Sequence, residues 1–382
     1  MNVLFLHSTS DLYGSARIFL EVIKIYNSLG VKPVVVLSGE GPLAESLREI
    51  NVSVKIQNLG VLRRKYNSPR GLMNRGGRIL KTYVFLNSLH KQYKFALVYT
   101  NTLGVLVGAF WAKRHKLPHI WHIHEVLEGP KALVDLMVKL LDSSTPQPIA
   151  VSKSVGDFWQ EKLTIARPQV IYNGIPYGDF LEVYPNPKSA FQIPAEKLVI
   201  TMIGRINPGK GQLFFLELAK RLCITFPELK FVMVGDAYMG YETIGEEIAE
   251  FVMQNKLQDN VIDLGFRKDI PRVLAATDIF VLPSILPDSL PTVILEAMAS
   301  GCPVVATRSG GASEMVIEDQ TGFLIPINGI EQGVSALIKL ILSPELRKTF
   351  GEAGRNHVLE NFSLENFREN IKNHLWQQLK RN

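Results

Sequence analysis

The chain of 382 residues has almost no cysteine: Cys223 and Cys302 are the only two. That excludes a disulfide scaffold and a cysteine-rich zinc module, and fits a reducing compartment. Long apolar runs are missing as well. The longest, Thr102–Ala112, falls far short of the roughly 20 residues that span a bilayer. The N-terminus reads Met1-Asn2-Val3-Leu4-Phe5-Leu6-His7. It has no basic region and too short an apolar stretch for a secretory signal. It is therefore read as a first buried strand of a cytoplasmic protein. Between Ile50 and His124 there is no Asp or Glu, although that stretch holds 13 Lys and Arg. Asp-x-Asp occurs nowhere, so the common carboxylate arrangement for a metal-bound diphosphate has no ligands. There is no internal repeat and no low-complexity segment.

What is present suits a folded globular chain. Hydrophobic residues make up 46% and charged residues 20%. At roughly 100–200 residues per domain, two domains are expected, each able to bury its own core. Residues 1–180 carry 22 Lys+Arg against 12 Asp+Glu, whereas residues 181–382 carry 20 against 24. A basic half points to a polyanion, a membrane surface or an anionic substrate.

Short apolar, β-branched runs alternate with segments of helical period. Strands are expected at Val3–Leu6, Pro33–Leu37, Ser53–Ile56, Ala96–Thr100, Ile120–Ile123 and Ile149–Val151. In the second half they are expected at Leu198–Ile203, Lys230–Val234, Val261–Leu264, Ile279–Leu282, Pro303–Ala306 and Phe323–Ile325. Such alternation argues for an α/β chain of two doubly wound, Rossmann-like domains. The boundary is placed near Tyr177–Glu196, which contains Pro185, Pro187 and Pro194. The expected division is 1–178, 179–361, and a C-terminal amphipathic helix over 362–382 that packs back towards the N-terminal domain. Arg70–Lys94 reads as a basic amphipathic helix. Leu72, Met73, Ile79, Leu80, Tyr83, Val84, Leu86 and Leu89 supply its apolar surface, interleaved with Arg70, Arg75, Arg78, Lys81, Lys91 and Lys94. It suits either a core-facing helix with a solvated basic face or one lying on an anionic membrane.

Three blocks in the second half carry chemistry. The strand ending at Ile203 runs into Gly204-Arg205-Ile206-Asn207-Pro208-Gly209-Lys210-Gly211 and then a helical run from Gln212. A glycine-rich turn before a helix N-terminus is an anion site, with Arg205 as a planar fork and Lys210 as a point charge. The spacing is not that of a P-loop. The strand ending at Leu282 runs into a loop holding Asp288, Ser289 and Leu290, and then a helix holding Glu296. Carboxylates placed in this way accept hydrogen bonds from vicinal hydroxyls of a sugar. Last comes Thr307-Arg308-Ser309-Gly310-Gly311-Ala312-Ser313-Glu314, whose glycine pair lets the backbone approach a ligand. Gly39-Glu40-Gly41-Pro42-Leu43-Ala44 mimics a dinucleotide fingerprint. It does not follow the first strand and has no ribose acid near residues 59–61, so it is rejected.

In this order the blocks resemble the retaining glycosyltransferases of family four (glycosyl transferases group 1), which have the GT-B fold of two Rossmann-like domains facing a cleft. Val234-Gly235-Asp236, Leu264-Gly265-Phe266, Ala276–Ser284 and Ile171-Tyr172-Asn173-Gly174-Ile175 match the family in smaller ways. The resemblance implies that Arg205 and Lys210 hold a donor diphosphate. It further implies that Glu296 binds ribose hydroxyls, and that Asp288, with Ser289 and Leu290, meets the transferred sugar. Gly204, Gly310, Gly311 and Glu314 would line the donor pocket. Asp288-Ser289-Leu290 stands where the family usually has Glu-Gly-Phe. In the first half, Tyr13-Gly14-Ser15-Ala16 resembles the family's glycine-rich N-terminal loop, here with only Gly14. His124, at a strand end in His122-Ile123-His124-Glu125, matches a histidine beside the sugar, and His122 reads as structural.

The activity so implied is transfer of a sugar from a nucleoside-diphosphate-sugar to an acceptor hydroxyl, with retention, in polysaccharide or glycolipid synthesis. It would need neither metal nor cofactor. Expected partners are the nucleotide sugar, a sugar, polysaccharide or lipid-linked acceptor, and an anionic membrane through Arg70–Lys94, with no nucleic acid. A nucleotide-sugar epimerase and a catalytically weakened nucleotide-sugar-binding subunit stay open as alternatives.

Overall fold

Runs such as Val3-Leu4-Phe5-Leu6 are apolar at every position, which suits a parallel strand covered by helices on both faces. A computed structural model describes residues 1–62, 69–127, 129–237 and 240–380. Arg63, Arg64 and Lys65, part of the basic stretch, lie outside the described residues. The chain forms two units, Met1–Ile175 with Leu364–Asn382, and Pro176–Ser363.

The first unit is built on seven strands: β1 (Asn2–His7), β2 (Lys32–Leu37), β3 (Ser53–Ile56), β4 (Leu97–Asn101), β5 (His119–Ile123), β6 (Ile149–Ala150) and β7 (Gln169–Val170). They lie parallel in the order β3-β2-β1-β4-β5-β6-β7. The order reverses between β1 and β4, so the carboxyl ends of these two strands flank the crevice where such sheets bind ligands. Register sets His7 beside Asn101, and Asn101 beside His122. The first six strands fall where the sequence places them, within a residue or two. The seventh, with only two half-buried residues, carries no apolar run to announce it.

Helix Leu364–Lys380 buries Phe367, Ile371, His374, Leu375 and Gln378. Their spacing of three and four residues makes one face. His374 Nε2 donates to the Gln147 carbonyl at 2.9 Å, fixing the helix within the first unit.

Helix Pro69–Tyr93 divides its apolar residues between two faces. Leu86 and Leu89 are buried, with Ile79 and Tyr83 packed beside them in a cluster containing Trp111. Full burial of a leucine contributes about 1.5–3 kcal/mol. Arg75 is buried too, which removes it from the solvated basic face that the sequence suggests. Met73, Leu80 and Val84 stand 78%, 69% and 68% exposed. Among the described residues, no helix is long and apolar enough to cross a membrane.

The second unit has β8 (Val199–Ile203), β9 (Lys230–Val234), β10 (Val261–Asp263), β11 (Ile279–Leu282), β12 (Val304–Thr307) and β13 (Gly322–Ile325). All are parallel, in the order β10-β9-β8-β11-β12-β13. Its core includes Phe215 and Phe231, edge to face at 5.6 Å. Here the order reverses between β8 and β11, and the two charged sequence blocks are the loops that leave those two strands.

Candidate active site

The loop after β8 is tied at its base. Gly204 N–H donates to the Val234 carbonyl at 2.9 Å, and Ile206 N–H to the Asp236 carbonyl at 2.8 Å. Asn207 Oδ1 accepts from Gly209 N–H at 2.9 Å. Gln212 Nε2 donates to the Arg205 carbonyl at 3.1 Å, joining the first turn of helix Gln212–Thr225 to the loop. Gly211 has φ +75°, and a Cβ there would lie 1.9 Å from the Pro283 carbonyl oxygen. Only glycine permits that approach. The Gly209 carbonyl in turn accepts from the N–H groups of Ile285 and Leu286. The loop after β8 is therefore seated on the loop after β11.

Side chains complete the join. The Lys210 stem passes over Gly204, and its Nζ pairs with Asp288 Oδ2. Both side chains stay about a quarter exposed, at 26% and 21%. The turn after β12 is joined to the loop after β11 through its backbone. Gly311 N–H donates to the Asp288 carbonyl at 2.8 Å. Gly310 has φ +53°, and a Cβ on it would meet that same carbonyl oxygen at 2.1 Å. Leu290 is buried against Gly311. Glu314, in the short helix Ala312–Met315, is half-buried. Glu296, in helix Thr292–Ala299, is 1% exposed. Burial, and secondarily the charge of Glu296, raises the Tyr177 hydroxyl far above its ordinary range. Thus Gly204, Arg205, Lys210, Asp288, Ser289, Leu290, Gly310 and Gly311, drawn from three segments, share one set of interlocked loops at the switch point.

In the first unit, Gly14 opens helix Gly14–Ser28, and a Cβ there would touch nothing within 4 Å. Packing within the chain does not call for glycine at that position. His124 follows β5 and is half-buried. Its Nε2 lies 2.9 Å from Asn101 Oδ1. Burial, with His7 nearby, pulls its pKa down to about 3, so the ring is neutral. His122 is fully buried, with Nδ1 2.7 Å from the Tyr99 hydroxyl. Its ring lies 4.4 Å from that of His124, as same-face alternation requires. Glu125 is half-buried; desolvation raises its pKa to about 7, held back by the N–H groups of Leu103 and His124 on its carboxylate. Sequence reasoning gave no site role to His7, Asn101 or Glu125. The available signal was a polar residue closing an apolar strand next to the switch point.

Residues 185–357 match the family Glycosyl transferases group 1, and residues 13–177 match Glycosyltransferase Family 4. The chain is 27% identical over 301 residues to UDP-Gal:alpha-D-GlcNAc-diphosphoundecaprenol alpha-1,3-galactosyltransferase of Escherichia coli, covering 75% of this chain and 76% of that protein. It is 34% identical over 289 residues to the sulfoquinovosyl transferase SQD2 of Arabidopsis thaliana, covering 70% of this chain and 54% of the plant protein. Among solved structures, Anabaena Alr3699/HepE in complex with UDP and glucose aligns with a TM-score of 0.86. Its identity is 23%, over 98% of this chain and 99% of that one. The chain belongs to the glycosyltransferases of group 1 and family 4, whose fold is GT-B.

Proposed function

We propose that the protein transfers a sugar from a nucleoside-diphosphate-sugar to an acceptor hydroxyl in glycolipid or polysaccharide synthesis. One observation carries the reading: the Lys210–Asp288 pair, which ties a basic loop to an acidic loop where the sheet order reverses. Arg205 and Lys210 hold the diphosphate and stabilise the charge that grows on it as the nucleotide leaves. These two cations take the place of a metal ion. Glu296 accepts from ribose hydroxyls. Asp288, one methylene shorter than the Glu usual in the family, meets the transferred sugar, and the Gly310–Gly311 backbone and Glu314 line the pocket. Gly14 brings backbone close to phosphate or acceptor, and His124 meets a sugar or acceptor hydroxyl.

With retention, the bond from the anomeric carbon to the leaving phosphate oxygen breaks. The acceptor oxygen bonds that carbon on the same face, and the acceptor proton passes to the phosphate oxygen. This route needs no protein nucleophile. A lipid-linked acceptor is supported by the named activity of the Escherichia coli relative. The exposed Met73, Leu80 and Val84 beside Arg70, Lys81 and Lys91 support residence at the inner face of an anionic membrane.

The test is a thermal-shift screen with UDP-, GDP- and ADP-sugars, followed by transfer to lipid-linked acceptors. The anomeric configuration of the product is then read by NMR. An inverted product contradicts retention. Interconversion of the donor without acceptor supports an epimerase, and binding without transfer supports a subunit that has lost catalysis.

A further inference from the structure

Three polar side chains stand in a row at the carboxyl ends of β1, β4 and β5: His7, Asn101 and His124. Asn101 is fully buried, as is His7. An amide has a donor end and an acceptor end, and here the surroundings decide which faces which ring. The Ser15 carbonyl lies 3.3 Å from one end and can only accept, so that end is nitrogen. The same nitrogen lies 3.0 Å from His7 Nδ1. Its two hydrogens are thereby used on Ser15 and His7. His7 then carries its own ring proton on Nε2, 3.3 Å from the Thr9 hydroxyl. The other end of the amide is oxygen, 2.9 Å from His124 Nε2. An oxygen there requires a proton on that nitrogen. In the neutral ring, Nδ1 keeps its lone pair, and it bonds no described residue.

We infer that Asn101 is a positioning residue that holds the proton of the neutral His124 ring on Nε2 and so presents Nδ1 as a hydrogen-bond acceptor for a substrate hydroxyl. The chemistry is selective: Nδ1 rewards a hydroxyl, which can donate, over fluorine or a carbonyl, which cannot. The inference rests on the sugar-transfer reading above for its ligand. For its geometry it rests only on Ser15, His7 and Asn101. The titratable groups around His124 are His7, His122 and Glu125, with Asp11 acting on His7.

Long-range proton–nitrogen NMR of histidine-labelled protein tests the lock directly, with the His124 signals identified by their loss in His124→Gln. Expected is a protonated Nε2 and a bare Nδ1 at pH 7 and at pH 5. A proton on Nδ1, or a doubly protonated ring at pH 7, overturns the inference. Asn101→Asp then tests its consequence. This nearly isosteric carboxylate has no N–H for Ser15 or His7, and its charge favours a protonated His124. In this variant His124 is expected to titrate near neutrality. At pH 7 kcat falls at least tenfold and recovers as pH rises, while nucleotide-sugar Kd stays within twofold. A kcat within twofold of the parent and a flat pH profile overturn the inference. If the parent protein transfers no sugar, the reading of function fails, and the NMR result still decides the role of Asn101.

Discussion

Lys210 and Asp288, 78 residues apart in sequence, form one ion pair between the loops that leave β8 and β11. In the proposed function, the pair holds the ammonium in place until a diphosphate takes over as its partner. Lys210→Ala should lower the transfer rate by about 10²–10³, the usual loss for one group that stabilises growing negative charge. Stability should change by no more than about 1 kcal/mol, because the pair is partly exposed. A steady-state assay beside a urea titration separates the two effects. Transfer at the parent rate would remove Lys210 from the diphosphate site.

Arg205 offers a planar fork where Lys offers a point charge. Arg205→Lys is expected to retain donor binding within about tenfold yet lose more in kcat, because bidentate geometry counts most as the phosphate leaves. Arg205→Ala should lose both. Equal activity of Arg205→Lys and the parent would show that charge alone suffices.

Two glycines should respond in opposite ways. Gly310 has φ +53°, and a Cβ there would lie 2.1 Å from the Asp288 carbonyl oxygen. Gly310→Ala should therefore cost about 1–3 kcal/mol of stability. Gly14 has open space where a Cβ would stand, so Gly14→Ala should leave stability within about 0.5 kcal/mol. A loss of transfer in that stable variant would assign Gly14 to ligand approach. Unchanged kcat and KM would make it an ordinary turn residue.

Acid should weaken the first unit through its buried histidines. Burial lowers the pKa of His7 to about 4 and of His119 and His124 to about 3, below the ordinary 6.5. Between those values and 6.5 the unfolded chain binds protons that the folded chain refuses. Stability is therefore full above about pH 6.5 and falls as pH drops towards 4. Glu125 opposes this: with its pKa raised to about 7, it favours the folded state below that value. Three histidines outweigh one carboxyl, so urea midpoints should fall from pH 7 to pH 5. A midpoint that rises on acidification would refute the balance.

If helix Pro69–Tyr93 rests on a membrane, it should do so through the face that the core leaves open. The protein is expected to co-sediment with anionic vesicles at low salt and to be released as salt screens the charge. Met73→Ser, Leu80→Ser and Val84→Ser together should abolish sedimentation without altering the fold, since all three are exposed. Undiminished sedimentation of the triple variant would place the contact elsewhere.

By itself the sequence determined two parallel sheets. Buried strands such as Val199–Ile203 must be apolar throughout, and that pattern is local. It also made the three loop blocks after β8, β11 and β12 legible, because a strand, a glycine-bearing or polar turn and a helix start follow in immediate succession. Tertiary structure alone decided what spans long separations. The 78-residue reach of Lys210 to Asp288 and the strand order that sets His7 beside Asn101 are examples. It also divided the residues of helix Pro69–Tyr93. Helical period names an apolar stripe, but only packing against Trp111 shows that Leu86 and Leu89 are buried while Leu80 and Val84 are left outside. The two-residue strand Gln169–Val170 was illegible because its hydrogen bonds to β6 come from the backbone, which any sequence provides.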